Sequence, residues 1–349
     1  QLQGIVDVSV ENNRANQAVL MRQAAQGNGE NVRLLLEAGV DVNASNPAEN
    51  GMTPLMAAAK SGQVDTILVM VREFSGDVNA MDSRMGTALM YACEHGNVEA
   101  VIALKKLQAN VFARDDKGRI ALMRAAENGH KAVVKKLMDE HVSMVASRDQ
   151  DGLTALMHAA KNGHTEVVAM MIQACHDFET AKDRNGLTAF THAAANGKVD
   201  TVVFLVNTLG VNLNAEDSFT AKALLLAAYN GHEAMVRALV SEFGLDVDTR
   251  DHEGKTAFMY ASANGHKTLL KTLAHEFNAS VDVVDNDGRS ALIYAADNCD
   301  KETVLFLALE LHVEVSIQDN TGMTALDYAR QKGETEVAAM LEWMQGGGS

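Results

Sequence analysis

The sequence predicts an all-α solenoid, a fold in which one short helix-turn-helix unit is stacked many times. Three observations predict it: similar segments recur about every 34 residues along a chain of 349, most copies place Thr or Ser before an Ala-rich run, and Gly usually closes that run. A period of this length is typical of repeat proteins, in which no unit can bury its apolar face without its neighbours.

The unit is clearest in Gly152–Val168, which reads GLTALMHAAKNGHTEVV. Thr154 stands at a helix N-cap position, because its hydroxyl can accept a backbone N–H of the first turn. Ala159 and Ala160 are small enough for another backbone to come close. Asn162-Gly163 then ends the first helix with residues that tolerate a left-handed φ. A second helix with an apolar stripe follows.

The Thr154 position recurs in steps of 34 residues, with one step of 33, at Thr53, Thr87, Ile120, Thr154, Thr188, Lys222, Thr256, Ser290 and Thr324. This pattern resembles the ankyrin repeat, whose T-P-L-H-x-A motif is matched best at Thr53-Pro54-Leu55-Met56-Ala57-Ala58. The resemblance implies an ankyrin-type α-solenoid of about ten helix-turn-helix units, with connecting β-hairpin-like loops.

Methionine mostly replaces the His of the family motif, so the hydrogen bond of that His is expected to be absent. We interpret these methionines as adaptable core filler; a Met-lined ligand site is the alternative.

We predict five segments from the repeat pattern. They are a lead-in over 1–16, a degenerate N-terminal capping repeat over 17–45, ankyrin-type repeats over 46–318, a C-terminal capping repeat over 319–345, and a linker over 346–349. Arg330 takes the place of the second Ala in the last unit, so no further unit is expected to stack there. The first residue, Gln1, and the Gly-rich end predict that the sequence is one region of a larger protein.

Local departures from the motif predict distortion at two joints. Met85 precedes Gly86 where other loops have Gly and then a variable residue, and Lys222 stands at the Thr position. Cys299 replaces the Gly between two helices, a costly change if φ is positive there. The additional residue of the 34-residue units is expected after the second helix.

Composition limits the classes of partner. The formal net charge is -16, which favours solubility and argues against binding nucleic acid or anionic membranes. The apolar runs are too short for a membrane span, and the start lacks a signal-peptide pattern. Cys93, Cys175 and Cys299 are isolated, so neither a disulfide framework nor a zinc site is expected. These features favour a reducing, cytoplasmic compartment and a monomeric array.

Short motifs that suggest chemistry are incomplete. Gly254-Lys255-Thr256 lacks the earlier Gly of a phosphate-binding loop. The segments Asp149–Gly152 and Asp285–Gly288 begin like calcium loops but lack the later ligands. One further set of residues follows Gly at the start of the second helix, where the family commonly has His: His130, His164, His232 and His266. We therefore expect no enzyme activity, no cofactor and no metal.

Two columns of variable residues are candidate partner-binding sites. The first, which we call the first-helix column, follows the Met position, and the resemblance implies that it lines a concave groove. Its candidates are Tyr91, Arg124, His158, His192, Tyr260 and Tyr294, with Tyr229 on the same helix as a neighbouring position. Tyr and Arg are favoured at interface hot spots. The alternative is that these side chains are half-buried and only pack between helices.

The second column, which we call the hairpin column, precedes the recurring Asp of each loop. Its basic members are Arg114, Arg148, Lys182 and Arg250. They suggest docking of an acidic segment. The alternative is local pairing with neighbouring carboxylates, namely Asp115, Asp149, Asp183 and Asp251.

The sequence thus predicts a non-enzymatic scaffold that binds another protein through the concave groove and the hairpin tips. One alternative is a targeting or regulatory arm of a larger enzyme or effector, with the catalytic domain outside this chain. A structural spacer without a specific partner is the other.

Overall fold

A computed structural model of the chain describes residues 13–174, 181–209 and 218–346, and within these ranges the protein is all-α without strands. Residues 1–12 of the predicted lead-in, residues 347–349 of the predicted linker, and Cys175 lie outside the described residues. The chain divides into two compact units, Gln1–Ala189 and Phe190–Ser349.

The described helices form pairs, as the repeat predicts. In order, the helices are α1 Asn13–Gln26, α2 Gly29–Glu37, α3 Pro54–Lys60, α4 Val64–Arg72, α5 Ala88–Glu94, α6 Val98–Lys106, α7 Ala121–Glu127, α8 Lys131–Met138, α9 Ala155–Asn162, α10 Thr165–Ala174, α11 Ala189–Ala195, α12 Val199–Leu209, α13 Ser218–Tyr229, α14 Glu233–Arg237, α15 Ala257–Ala263, α16 Lys267–His275, α17 Ala291–Asp297, α18 Lys301–Leu305, α19 Ala325–Lys332 and α20 Thr335–Gln345. Odd-numbered helices are the first helices of their repeats, and even-numbered ones are the second. None of these helices combines the length and the apolar character that crossing a bilayer needs.

Hydroxyl caps begin most of the first helices. The Thr154 hydroxyl accepts the backbone N–H of Met157 at 3.3 Å, and Thr53 caps Met56 in the same way. The Met sulfurs complete this cap, since Met157 Sδ accepts the Thr154 backbone N–H at 3.5 Å. At these two caps a Met sulfur, which is a weak acceptor, therefore makes a hydrogen bond of its own where the family motif has His. Ile120 offers no hydroxyl and makes no side-chain cap.

The small-residue pair packs first helices against each other within each compact unit. Ala159 and Ala160 are fully buried, and so is Cys93, which occupies an equivalent position. Burial raises the pKa of the Cys93 thiol well above its usual value, so this Cys acts as a small apolar residue, as predicted. The Met side chains that follow the Leu of the motif are 1% exposed or less at Met56 and Met157. They are core filler.

A histidine of the next repeat closes the end of the preceding first helix. His164 Nε2 donates to the backbone oxygen of Glu127 at 2.9 Å, and His130 does the same to Glu94 at 2.8 Å. The ring lies so close to the helix-ending Gly that a Cβ on Gly129 would be 2.5 Å from His164 Nδ1. Since Gly129 also has φ 75°, both the backbone and the neighbouring repeat require glycine there.

The additional residue lies after the second helix, as predicted. In the one repeat with a 33-residue step, Ala109 N donates to Leu104 O, a span of five residues. In a 34-residue repeat the corresponding bond joins Ala279 N to Leu273 O and spans six. At two places the added residue is accompanied by a π-helical turn, over Ala238–Glu242 and Phe306–Glu310.

The predicted distortion is wrong at Met85, because that joint keeps the backbone geometry of the other repeats, whereas the helix at Lys222 departs from the repeat. Met85 and Cys299 adopt left-handed backbones, with φ 58° and 59°, at positions where other repeats have Gly. At the second predicted joint, α13 begins at Ser218, so Lys222 lies inside a helix instead of at its N-cap. A non-Gly residue with positive φ stores strain of about 1 kcal/mol.

Candidate functional site

The first-helix column is tied to the recurring Asp of the preceding loop, nine residues earlier in the chain. His158 Nε2 lies 2.9 Å from Asp149 Oδ2. In the same way the Tyr91 hydroxyl donates to Asp82 at 2.6 Å, and the Tyr260 hydroxyl donates to Asp251 at 2.6 Å. Two chemically different side chains, His and Tyr, therefore make the same bond. Its role is to hold the loop against the first helix of its own repeat.

The recurring Asp is satisfied from both sides. Asp115 Oδ1 accepts the backbone N–H groups of Lys117 at 3.0 Å and Arg119 at 2.8 Å, while Oδ2 accepts Arg119 Nε at 2.9 Å and Arg124 Nη2 at 2.9 Å. Burial by itself would raise the pKa of Asp115, but the backbone N–H of Arg119 and the two guanidinium groups lower it below its ordinary value. The side chain of Asp115 is 0% exposed. The carboxylate is therefore ionised and shielded from solvent by the loop.

Arg124, His158 and His192 present little surface to a partner. Their exposed fractions are 7%, 7% and 9%. Besides its bonds to Asp115, Arg124 reaches Glu94 of the preceding repeat at 2.6 Å. Low exposure at these positions favours the packing alternative, and their contact with a partner stays a prediction.

The tyrosines keep part of their rings accessible. Tyr91, Tyr260 and Tyr294 are partly exposed, and each hydroxyl donates to a loop carboxylate, Asp285 in the case of Tyr294. Burial and that hydrogen bond raise the pKa of all three well above the usual value of a phenol. The hydroxyls are therefore neutral and already hydrogen-bonded to the loops. The faces of the rings remain available for contact with a partner.

In the second compact unit the rings form a continuous row, which we call the tyrosine strip: Tyr229, Tyr260 and Tyr294. Tyr229 is 48% exposed and meets Tyr260 edge-to-face with ring centroids 6.0 Å apart. Lys255 Nζ lies 5.9 Å from the Tyr260 centroid and 5.3 Å from that of Tyr294. Arg289 continues the row at 6.0 Å from Tyr294. Aromatic pairs and cation–π contacts hold these rings in fixed positions.

Among the described ion pairs, none joins Arg114, Arg148 or Arg250 of the hairpin column to its neighbouring Asp. Instead Arg148 Nη1 donates to the backbone oxygens of Gly152 at 2.8 Å and Lys182 at 2.7 Å. Arg250 Nη1 donates to Val284 O at 2.9 Å. All four basic members, Arg114, Arg148, Lys182 and Arg250, are exposed. Each described guanidinium clamps one loop to the next while its charge remains unpaired with a described carboxylate.

The calcium-like loops are closed hydrogen-bonded turns. Asp285 Oδ1 accepts the backbone N–H groups of Asp287 and Arg289, and its Oδ2 accepts the Tyr294 hydroxyl. Across the described residues, no cluster of three or more His, Cys, Asp or Glu side chains could hold a metal ion.

Sequence reasoning missed the bond between the column and its Asp. The signal was present, because Asp precedes the column residue by nine positions in successive repeats. The carbonyl clamp of the hairpin column had no such signal, since its acceptor is a backbone atom 34 residues away.

Comparison with known proteins places these features in context. A family profile described as ankyrin repeats (3 copies) matches residues 2–82, 68–148, 122–217, 209–285 and 274–344. Ankyrin repeat domain-containing protein 63 of Mus musculus is 36% identical over 110 residues, which are 30% of this chain and 27% of that protein.

Two other relatives share similar segments. Ankyrin repeat protein nuc-2 of Neurospora crassa is 32% identical over 117 residues, 33% of this chain and 11% of that protein. The probable E3 ubiquitin-protein ligase XBOS33 of Oryza sativa subsp. japonica is 34% identical over 124 residues, 35% of this chain and 24% of that protein. The chain thus spans only 11% to 27% of the length of these three relatives.

Proposed function

Because the chain belongs to the ankyrin repeat family, we propose that it is a non-enzymatic module that holds another protein against its first helices and hairpin tips. Ankyrin repeats generally mediate protein–protein interaction. The observation that carries the proposal is the tyrosine strip of the second compact unit. Its rings are accessible, while neighbouring cations and carboxylates restrict their movement.

A preorganised aromatic row favours binding for an energetic reason. Ordering a mobile side chain at an interface costs about 0.5–1.5 kcal/mol, and rings that are already fixed avoid much of that cost. Tyr is enriched at hot spots because it offers a large apolar face beside a polar tip. Tyr229 is the strongest candidate contact, since it is 48% exposed and none of the described hydrogen bonds uses its hydroxyl.

The remaining candidates take different parts in this proposal. Tyr91 serves the first compact unit as a ring contact of the same kind. The buried members Arg124 and His158 hold loops of the first compact unit through Asp115 and Asp149. His192 is a buried position of the second unit. Three exposed cations of the hairpin column in the first compact unit contact the partner electrostatically: Arg114, Arg148 and Lys182. The fourth, Arg250, is followed in its column by the uncharged Val284 and Gln318 and is not proposed as a contact. We propose further that the protein acts as a monomer in the cytoplasm and binds neither nucleic acid nor membrane.

Site-specific photo-crosslinking tests this function. A photoreactive phenylalanine analogue replaces Tyr229 in one variant and Leu309, a residue 49% exposed in the same unit, in the control. After irradiation in cell lysate, one protein should crosslink reproducibly at position 229 and not at position 309. Equal crosslinking at both positions, or none at 229, would overturn the proposal for the tyrosine strip.

A second candidate function is that of a targeting or regulatory arm within a larger enzyme or effector. The similarity to the probable E3 ubiquitin-protein ligase from rice favours it, because the matched segment is only 24% of that protein. Mass spectrometry of the protein isolated from its source would test this candidate. Peptides mapping to an additional catalytic region of the same polypeptide would support it, and a mature chain without such a region would refute it.

A further inference from the structure

Three basic residues of the first compact unit lie in a row across consecutive loops. Arg114 Nη1 donates to the backbone oxygens of Gly118 at 2.6 Å and Arg148 at 2.7 Å. Arg148 Nη1 makes the same two kinds of bond, to Gly152 and Lys182. Each guanidinium therefore rests on the backbone of the next basic residue. We call Arg114, Arg148 and Lys182 the basic row.

The arginines of this row retain donors for a ligand. A guanidinium carries five N–H donors, and the described hydrogen bonds of Arg114 and Arg148 use only Nη1. The Nε and Nη2 groups form the fork that binds a carboxylate with two parallel hydrogen bonds. Because the carbonyl clamp already fixes Nη1, binding orders less of the side chain than it would in a free arginine.

The recurring Asp residues of these loops do not cancel this charge, although two other carboxylates of the loops, those of Asp116 and Asp151, are exposed. Asp149 is bound by His158 and by the backbone N–H groups of Asp151 and Leu153, and its side chain is 6% exposed. Asp183 is 8% exposed and accepts two backbone N–H groups of its own loop. The recurring carboxylates therefore face their own loops. Additional exposed cations flank the row: Arg84, Lys117 and Arg184.

The spacing of the row selects a ligand conformation. Packed helical layers lie about 10 Å apart, so successive members of the row are separated by about that distance. A polyproline II segment rises about 3.1 Å per residue and has three residues per turn, so every third side chain returns to the same face about 9 Å further on. Acidic residues at every third position would therefore meet successive cations.

We propose that the basic row binds an extended, acidic peptide segment with Asp or Glu at every third residue. This inference rests on the proposed function and names the partner chemistry for one of its surfaces. A long nucleic acid fits less well, because the chain carries a net charge of -16. The parts of a polyanion that extend beyond the basic row would be repelled by this negative charge. A short acidic segment confines its charge to the row.

The second compact unit supplies a matched control. Arg250 there makes the same carbonyl clamp, to Val284 O at 2.9 Å. Its column continues with Val284 and Gln318, which carry no charge, so the row is not extended. Removing the charge of Arg250 should therefore not affect the peptide.

Fluorescence anisotropy of a labelled peptide on the intact chain tests the inference. The peptide has about ten residues, Glu at every third position and Pro or Ala between. A scrambled peptide with adjacent Glu residues controls for composition. The variants are Arg148→Gln, Arg250→Gln and Lys182→Gln; the described hydrogen bonds do not include the Lys182 ammonium, so Lys182→Gln leaves the loops intact.

We expect Arg148→Gln and Lys182→Gln each to weaken binding about tenfold, the loss typical of one charge-assisted pair, and Arg250→Gln to leave it unchanged. The scrambled peptide should bind more weakly than the spaced one. Equal affinity for both peptides, equal effects of Arg148→Gln and Arg250→Gln, or tighter binding of a single-stranded oligonucleotide would each overturn the inference. Crosslinking at position 229 is independent of the row, so its persistence would show that only this inference has failed.

Discussion

Replacing Asp115 by Ala should destabilise the third and fourth repeats by about 4 kcal/mol, because Asp115 joins a loop, its own helix and a buried arginine. The substitution removes the acceptor for two backbone N–H groups and for the guanidinium groups of Arg119 and Arg124. One hydrogen bond to a charged group contributes about 1.5–3 kcal/mol, and removing one partner of a buried ion pair costs about 3–5 kcal/mol. The Arg124 side chain is 8% exposed, so water cannot replace the lost carboxylate.

Native-state hydrogen exchange of the backbone amides of α7 measures this cost locally. A local measurement separates this loop from the other repeats, because a repeat array can open in parts and a global transition averages over several repeats. Asp116→Ala is the matched control: Asp116 is exposed, its carboxylate is absent from the described hydrogen bonds, and we expect a change of at most about 0.5 kcal/mol. Asp115→Asn should fall between the two, because its amide oxygen can still accept the backbone N–H groups.

The same carboxylate predicts a pH dependence. The pKa of Asp115 is lower in the folded protein than its ordinary value, so its charge contributes fully to stability above the unfolded pKa of about 3.9. That contribution is lost as the pH falls through the lowered folded pKa. Asp115→Asn should therefore show a flatter loss of stability below about pH 4. A cost of Asp115→Ala within about 1 kcal/mol of Asp116→Ala would refute the reasoning for the buried cluster.

Three further substitutions test separate parts of the structure. Cys299→Gly should raise the melting temperature, because Gly adopts the left-handed backbone without the strain of about 1 kcal/mol that Cys incurs there. An unchanged or lower melting temperature would contradict this strain. Gly129→Ala should destabilise by more than the strain alone because the new methyl group meets the ring of His164; a double-mutant cycle with His164→Ala, followed by urea unfolding, should show positive coupling. Tyr260→Phe should cost about 1.5–3 kcal/mol in urea unfolding by removing the hydrogen bond to Asp251, and a cost below about 0.5 kcal/mol would show that the bond stabilises nothing.

Local rules allowed much of the fold to be predicted from the sequence. A hydroxyl at Thr154 caps the helix that follows it, and Gly at the joint permits the left-handed φ that ends a helix, so both features follow from neighbouring residues. The irregularity at Lys222 has the same origin: no Thr provides a cap at position 222, and the helix there begins earlier, at Ser218.

The partners of polar side chains were decided by tertiary structure. From the sequence, pairing of Arg148 with the adjacent Asp149 was one of two alternatives. In the folded protein Asp149 bonds to His158, and Arg148 donates to Lys182 O of the next repeat. Tyr229, the most exposed member of the tyrosine strip, could not be told from the half-buried Tyr260 by position alone. The physical reason is range. Caps and turns depend on residues a few positions apart, whereas the choice of a hydrogen-bond acceptor and the exposure of a ring depend on how one repeat is seated against the next.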